Sequence, residues 1–83
     1  MPPKLKRLGA RDVLRALGAF GFEVVSTPGS HAKLRRVLAD GERQTLTIPM
    51  HRTLAPGTLQ SIFRQASRYV AEAKLRRWFF DRK

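Results

Sequence analysis

The rhythm of apolar residues changes twice along this chain, and that change restricts the fold more than any other feature. Helices bury residues about 3.6 positions apart and strands every second one, so the two periods specify different backbones. Val13, Leu14, Leu17 and Phe20 fall at three- and four-residue spacings. They predict a helix over residues 10–20, with Arg11, Asp12 and Arg15 on its other side and Gly21 ending it. Residues 22–27, centred on Val24 and Val25, read as a strand. Thr27-Pro28-Gly29-Ser30 is a turn, and a second strand follows over 31–38. Asp40-Gly41 marks a hairpin leading to a third strand over 44–48, with Leu46 and Ile48 inward and Thr45 and Thr47 outward. Pro56 suits the first turn of a second helix, whose buried stripe is Leu59, Ile62, Phe63 and Ala66. Ala71, Leu75, Trp78 and Phe79 predict a third helix over 69–80.

The order is α-β-β-β-α with an added helix, an α+β domain in which helices cover one face of a three-stranded antiparallel sheet. A chain of 83 residues buries roughly 60–65% of its unfolded surface, enough for one core and therefore one domain over 1–83. Within it, 1–8 reads as a basic arm. The absence of cysteine rules out disulfides and thiolate metal sites and fits a cytoplasmic protein. No apolar run approaches the ~20 residues of a membrane-spanning helix. The basic N-terminal stretch has no apolar segment behind it and does not read as a secretory signal.

Charge narrows the class of partner. Seventeen Lys and Arg stand against six Asp and Glu, a net charge of +11. Such an excess favours an anionic partner, first of all nucleic acid, whose phosphates exchange condensed counterions for Lys and Arg. An acidic membrane surface or an acidic protein is also compatible with charge alone.

Alternation in the second strand puts Ala32, Leu34, Arg36 and Leu38 on one face, with Leu34 and Leu38 in the core. His31, Lys33, Arg35 and Val37 lie side by side on the other face. The chain has two histidines, His31 and His51, and histidine is the side chain that ordinarily titrates near neutral pH. An imidazole in a cationic strip can exchange protons beside a bound phosphate, or simply contact it. Gly29 and Ser30 serve equally as phosphate donors or as an ordinary strand connection. Lys33, Arg35 and, on the opposite face, Arg36 are candidate phosphate ligands or a solvated surface. His51 can bind a nucleic acid, assist His31 or hold its own loop. Trp78, Phe79 and Phe80 can stack bases, but their helical spacing favours core packing or an interface with a protein partner. Arg64, Arg68, Lys74, Arg76 and Arg77 make a basic helical surface. Two histidines and scattered carboxylates show no metal-ligand spacing, so no metal and no cofactor is expected.

The ordered set Gly29-Ser30-His31-x-x-Leu34, the hairpin, and Thr47-Ile48-Pro49-x-His51-x-x-Leu54-x-x-Gly57-Thr58-Leu59-x-x-Ile62 resembles the HicA family of toxins. The opening helix ending in Gly21-Phe22 and the Arg64-Gln65-Ala66 stretch fit the same pattern. The resemblance covers residues 9–67 and leaves 68–83 as a C-terminal helical extension. It implies a double-stranded-RNA-binding-domain-like fold, an mRNA-cleaving endoribonuclease with His31 as catalytic histidine, and a HicB-like antitoxin as partner. Two features depart from the pattern: Ala32 replaces the histidine or aromatic that commonly follows the Gly-Ser-His histidine, and the extension itself. The alternative is a non-catalytic RNA-binding module using the same basic face; a DNA-binding protein is a weaker third reading.

Overall fold

A computed structural model describes residues 4–81 and follows the change of period. It has α1 (Ala10–Gly18), β1 (Glu23–Ser26), β2 (His31–Val37), β3 (Arg43–Pro49), α2 (Pro56–Ala66) and α3 (Glu72–Phe79). The extended residue Gly9 precedes α1, and its N–H donates to Asp12 Oδ2 at 2.9 Å. This satisfies one of the orphan donors of a helix start with a carboxylate that also suits the helix dipole. Past the helix, the Phe22 N–H donates to Leu17 O (3.1 Å) and the Gly21 N–H to Gly18 O (3.0 Å). That bond pair is a Schellman cap.

The strands form one antiparallel sheet in the order β1-β2-β3. His31 pairs with Pro49, Lys33 with Thr47 and Arg35 with Thr45. On the other edge of β2, Glu23 pairs with Arg35 and Ser26 with Lys33, with a shift of register between Val24 and Ser26. The expected strand limits move by a residue or two. β2 stops at Val37 and Leu38, expected in the core, is half-buried in the hairpin. There it exchanges bonds with Glu42 and Gly41 at 2.9 Å each. Residues of β1 are all exposed, Val24 and Val25 included, because β1 is a short edge strand with a bulge.

One face of the sheet is covered. Ala32, Leu34, Leu46 and Ile48 from β2 and β3 meet Val13, Ala16 and Leu17 of α1, Leu59, Ile62 and Ala66 of α2, and Leu75 and Phe79 of α3 in a single buried cluster. The expected helices-on-one-face arrangement is therefore the architecture found. The extension is part of that core: Leu75 and Phe79 are fully buried, and the Phe79 and Phe80 rings pack edge-on against Phe63, with centroids 5.5 and 5.2 Å away. Trp78, read as part of the packed stripe, lies on the rim of the helix, 36% exposed. The stretch read as a basic arm, described from Lys4, is tied down by the same extension. The Lys6 N–H donates to Phe79 O (2.8 Å) and the Asp81 N–H to Lys4 O (2.7 Å), forming a bridge between Leu5 and Phe80.

Arg36 reaches into the covered layer. Its Nε and Nη2 donate to Gln44 Oε1 (2.9 and 2.6 Å), Nη1 to Phe20 O (3.0 Å) and Nη2 also to Tyr69 O (2.9 Å). The guanidinium lies 4.9 Å from the centroid of the Phe22 ring. Phe20 and Tyr69 follow the C-termini of α1 and α2, where helix dipoles favour a cation.

A candidate RNA-binding face

The second sheet face carries His31, Lys33, Arg35 and Val37 from β2, opposite Pro49, Thr47, Thr45 and Arg43 of β3. His31, Lys33, Thr47 and Arg43 are exposed, whereas their inward neighbours Ala32, Leu34 and Ile48 are buried. Alternate residues of a strand stand about 6.6 Å apart, so imidazole, ammonium and guanidinium form a regular row along β2. Glu23, directly across from Arg35 on β1, is the acid on this face. It stands level with Arg35, four residues along β2 from His31, or about 13 Å. It is therefore too far away to share a proton with the imidazole.

The turn before β2 gives His31 its place at the sheet end. Gly29 adopts φ +61°, a left-handed conformation that glycine enters without a Cβ penalty, and the His31 N–H closes the turn on Pro28 O at 3.3 Å. Gly29 and Ser30 are exposed beside His31. The Met50 N–H donates to Ser30 O at 2.7 Å, carrying the β2–β3 pairing beyond His31 and Pro49. His51 is the next residue, so the fold brings Gly29, Ser30, His31 and His51 to one end of the sheet. His51 is exposed, and it is its main chain that holds the loop: its carbonyl accepts from the Ala10 N–H at 3.0 Å. Among the described residues neither imidazole is engaged in a hydrogen bond.

Arg35 is half-buried in the row, and its Nε is screened from solvent with no hydrogen-bond partner among the described residues. Buried donors are almost always paired, and this one is an exception among the described residues. Arg36, also a candidate phosphate ligand from sequence, is corrected by its surroundings. It points to the covered face, and its guanidinium is committed to Phe20, Gln44 and Tyr69. Thr45 and Thr47, by contrast, face Arg35 and Lys33 on the open side and add hydroxyls to the row. Their outward orientation was readable from alternation, but their partners depend on a register the sequence does not state.

Among the described residues there is no group of three His, Cys, Asp or Glu side chains placed to hold a metal, and no helix long and apolar enough to cross a membrane. No curated protein and no solved structure matches the chain. A protein-family model, described as the HicA toxin of bacterial toxin–antitoxin, matches residues 10–67. That stretch holds the whole sheet, the Gly29-Ser30-His31 turn and His51, and by that match the chain belongs to the HicA toxin family of bacterial toxin–antitoxin systems.

Proposed function

We propose that this toxin is a metal-independent endoribonuclease that binds mRNA across the open sheet face and cleaves it at His31. The observation that carries the reading is the row His31-Lys33-Arg35 on an exposed face, with both histidines at one end of the sheet. In the step proposed, the 2′-hydroxyl oxygen attacks the adjacent phosphorus. The bond from phosphorus to the 5′-oxygen breaks, and the 2′ proton leaves as the 5′-oxygen gains one. The products are a 2′,3′-cyclic phosphate, or the 3′-phosphate from its hydrolysis, and a 5′-hydroxyl. An imidazole, with a reference pKa of about 6.5, can take the first proton or give the second. Lys33 and Arg35 hold the phosphate chain along β2, and Gly29 and Ser30 supply donors at the turn. His51 is an RNA ligand at the same end, and it, Lys33 or a group of the substrate completes the proton exchange.

A HicB-like antitoxin is the partner we read for this toxin, and the uncovered cationic face suits an acidic surface. With mRNA as substrate, the protein acts in the cytoplasm. The deciding experiment incubates labelled mRNA with purified protein in EDTA, comparing wild type with His31→Ala at matched RNA binding. Cleavage by wild type alone supports the reading. Equal binding without cleavage by either overturns the nuclease and leaves an RNA-binding module. Equal cleavage by both removes His31 from the mechanism.

A further inference from the structure

A second basic surface lies outside the open sheet face. Gly9, Ala10, Arg11, Asp12, Arg15, Met50, His51 and Arg52 line a cleft between the start of α1 and the loop after β3. Arg11 and Arg15 are one helical turn apart, about 6 Å along the axis, and both are exposed, as is Arg52 across the cleft. Asp12, the one acid, is already occupied: Oδ2 accepts from the Gly9 N–H at 2.9 Å and Oδ1 lies 3.9 Å from Arg15 Nη1. Three guanidinium groups and an imidazole thus face a single carboxylate that serves its own helix.

The walls are fixed to one another through backbone. The Ala10 N–H donates to His51 O (3.0 Å) and the Leu54 N–H to Leu8 O (2.9 Å). Gly9 lies so close to Arg52 O that a Cβ would collide with it, so glycine is what lets the two segments touch. A cleft held this way needs little ordering when a ligand arrives, which favours binding. At its lip stands His51, one residue beyond Met50, which is bonded to Ser30 beside His31.

We propose that this cleft is a second phosphate-binding site for the RNA backbone, continuous with the strip on β2. It grips the strand a short way from the bond facing His31, with Arg11, Arg15 and Arg52 as ligands. The inference rests on the RNA-binding reading above and extends the path of the strand from the sheet onto α1.

The test measures binding of a fluorescein-labelled single-stranded RNA by anisotropy across a range of NaCl, with His31→Ala in every protein so that the RNA stays intact. The cleft triple Arg11→Gln, Arg15→Gln, Arg52→Gln is compared with a control triple of equal charge on α2 and beyond it, Arg64→Gln, Arg68→Gln, Lys74→Gln. Circular dichroism shows that each is folded, and Arg52→Gln alone provides a milder variant. Each lost phosphate contact lowers the salt slope by about 0.7, so the cleft triple should lose about 2 from its slope and at least tenfold in affinity. The control should lose less than a third of that slope. Parent binding that the cleft triple retains, or loses no more than the control does, removes the cleft alone. A parent that binds no RNA at all removes the cleft together with the reading beneath it.

Discussion

Arg36 Nη2 lies 2.9 Å from the carbonyl oxygen of Tyr69, 33 residues further along the chain. That bond joins the middle strand to the turn between α2 and α3, while the same guanidinium holds Phe20 and Gln44. One cation thereby ties together three elements that approach from different parts of the sequence.

Arg36→Ala should therefore destabilise the fold by about 2–4 kcal/mol, because it leaves the nearly buried Gln44 side chain and two helix-end carbonyls without their donor. Urea denaturation followed by circular dichroism measures this. RNA affinity of the folded protein should stay within about threefold. An Arg36→Ala variant as stable as wild type would show that solvent replaces all of these bonds.

Lys33→Ala should show the opposite profile. Its side chain is exposed on the open face, so stability should change by no more than about 0.5 kcal/mol. The salt dependence of RNA binding should shallow by about 0.7 in slope if Lys33 meets one phosphate. An unchanged slope would take Lys33 off the RNA path.

For His31→Ala the expected loss of cleavage is about 10²–10⁴-fold, the usual contribution of one general acid or base. RNA affinity should change little, since the exposed imidazole is one contact among several cationic ones. A fall in affinity that accounts for the whole rate loss would mean that His31 binds rather than reacts.

Phe79→Ala should cost about 3–5 kcal/mol, as expected for a fully buried aromatic packed against Phe63. An 83-residue domain has a total stability of only about 4–12 kcal/mol. A chain ending at residue 67 should accordingly fail to give a cooperative thermal transition. A sharp transition in that truncated chain would mean that the family core folds without its extension.

Two glycine substitutions should move in opposite directions. Gly9→Ala places a Cβ against Arg52 O and should force the loop after β3 away from α1, lowering the melting temperature. Gly18→Ala meets open space at the last residue of α1 and should stabilise by up to about 0.5 kcal/mol. Differential scanning calorimetry of the two variants checks both signs.

Much of this was legible in the residues because local periodicity carries it. Val13 and Leu17 gave the face of α1, and the alternation through Leu34, Leu46 and Ile48 separated the covered face of the sheet from the open one. Arg36 shows where charge and pattern conflict. Alternation turned it inward, while its positive charge suggested phosphate. The pattern prevailed because three acceptors lie where the fold closes, and none of them is visible in the neighbouring sequence. The Leu5–Phe80 bridge was illegible for the same reason, since pairing between segments 75 positions apart leaves no period to read. Trp78 shares the helical spacing of Leu75 and Phe79, yet α3 turns it to the rim.

The same bridge has a consequence for handling the chain. The Lys4 carbonyl and the Asp81 amide are in direct contact, so the first and last described residues could be joined by a short linker without moving α1 or α3. Fresh ends could then be cut at Asp40-Gly41, in an exposed hairpin away from both histidines, where circular permutation is well tolerated. A toxin rearranged in this way would remain one chain, folded around an unbroken α3-to-α1 connection, with β2 and β3 held together by their pairing alone.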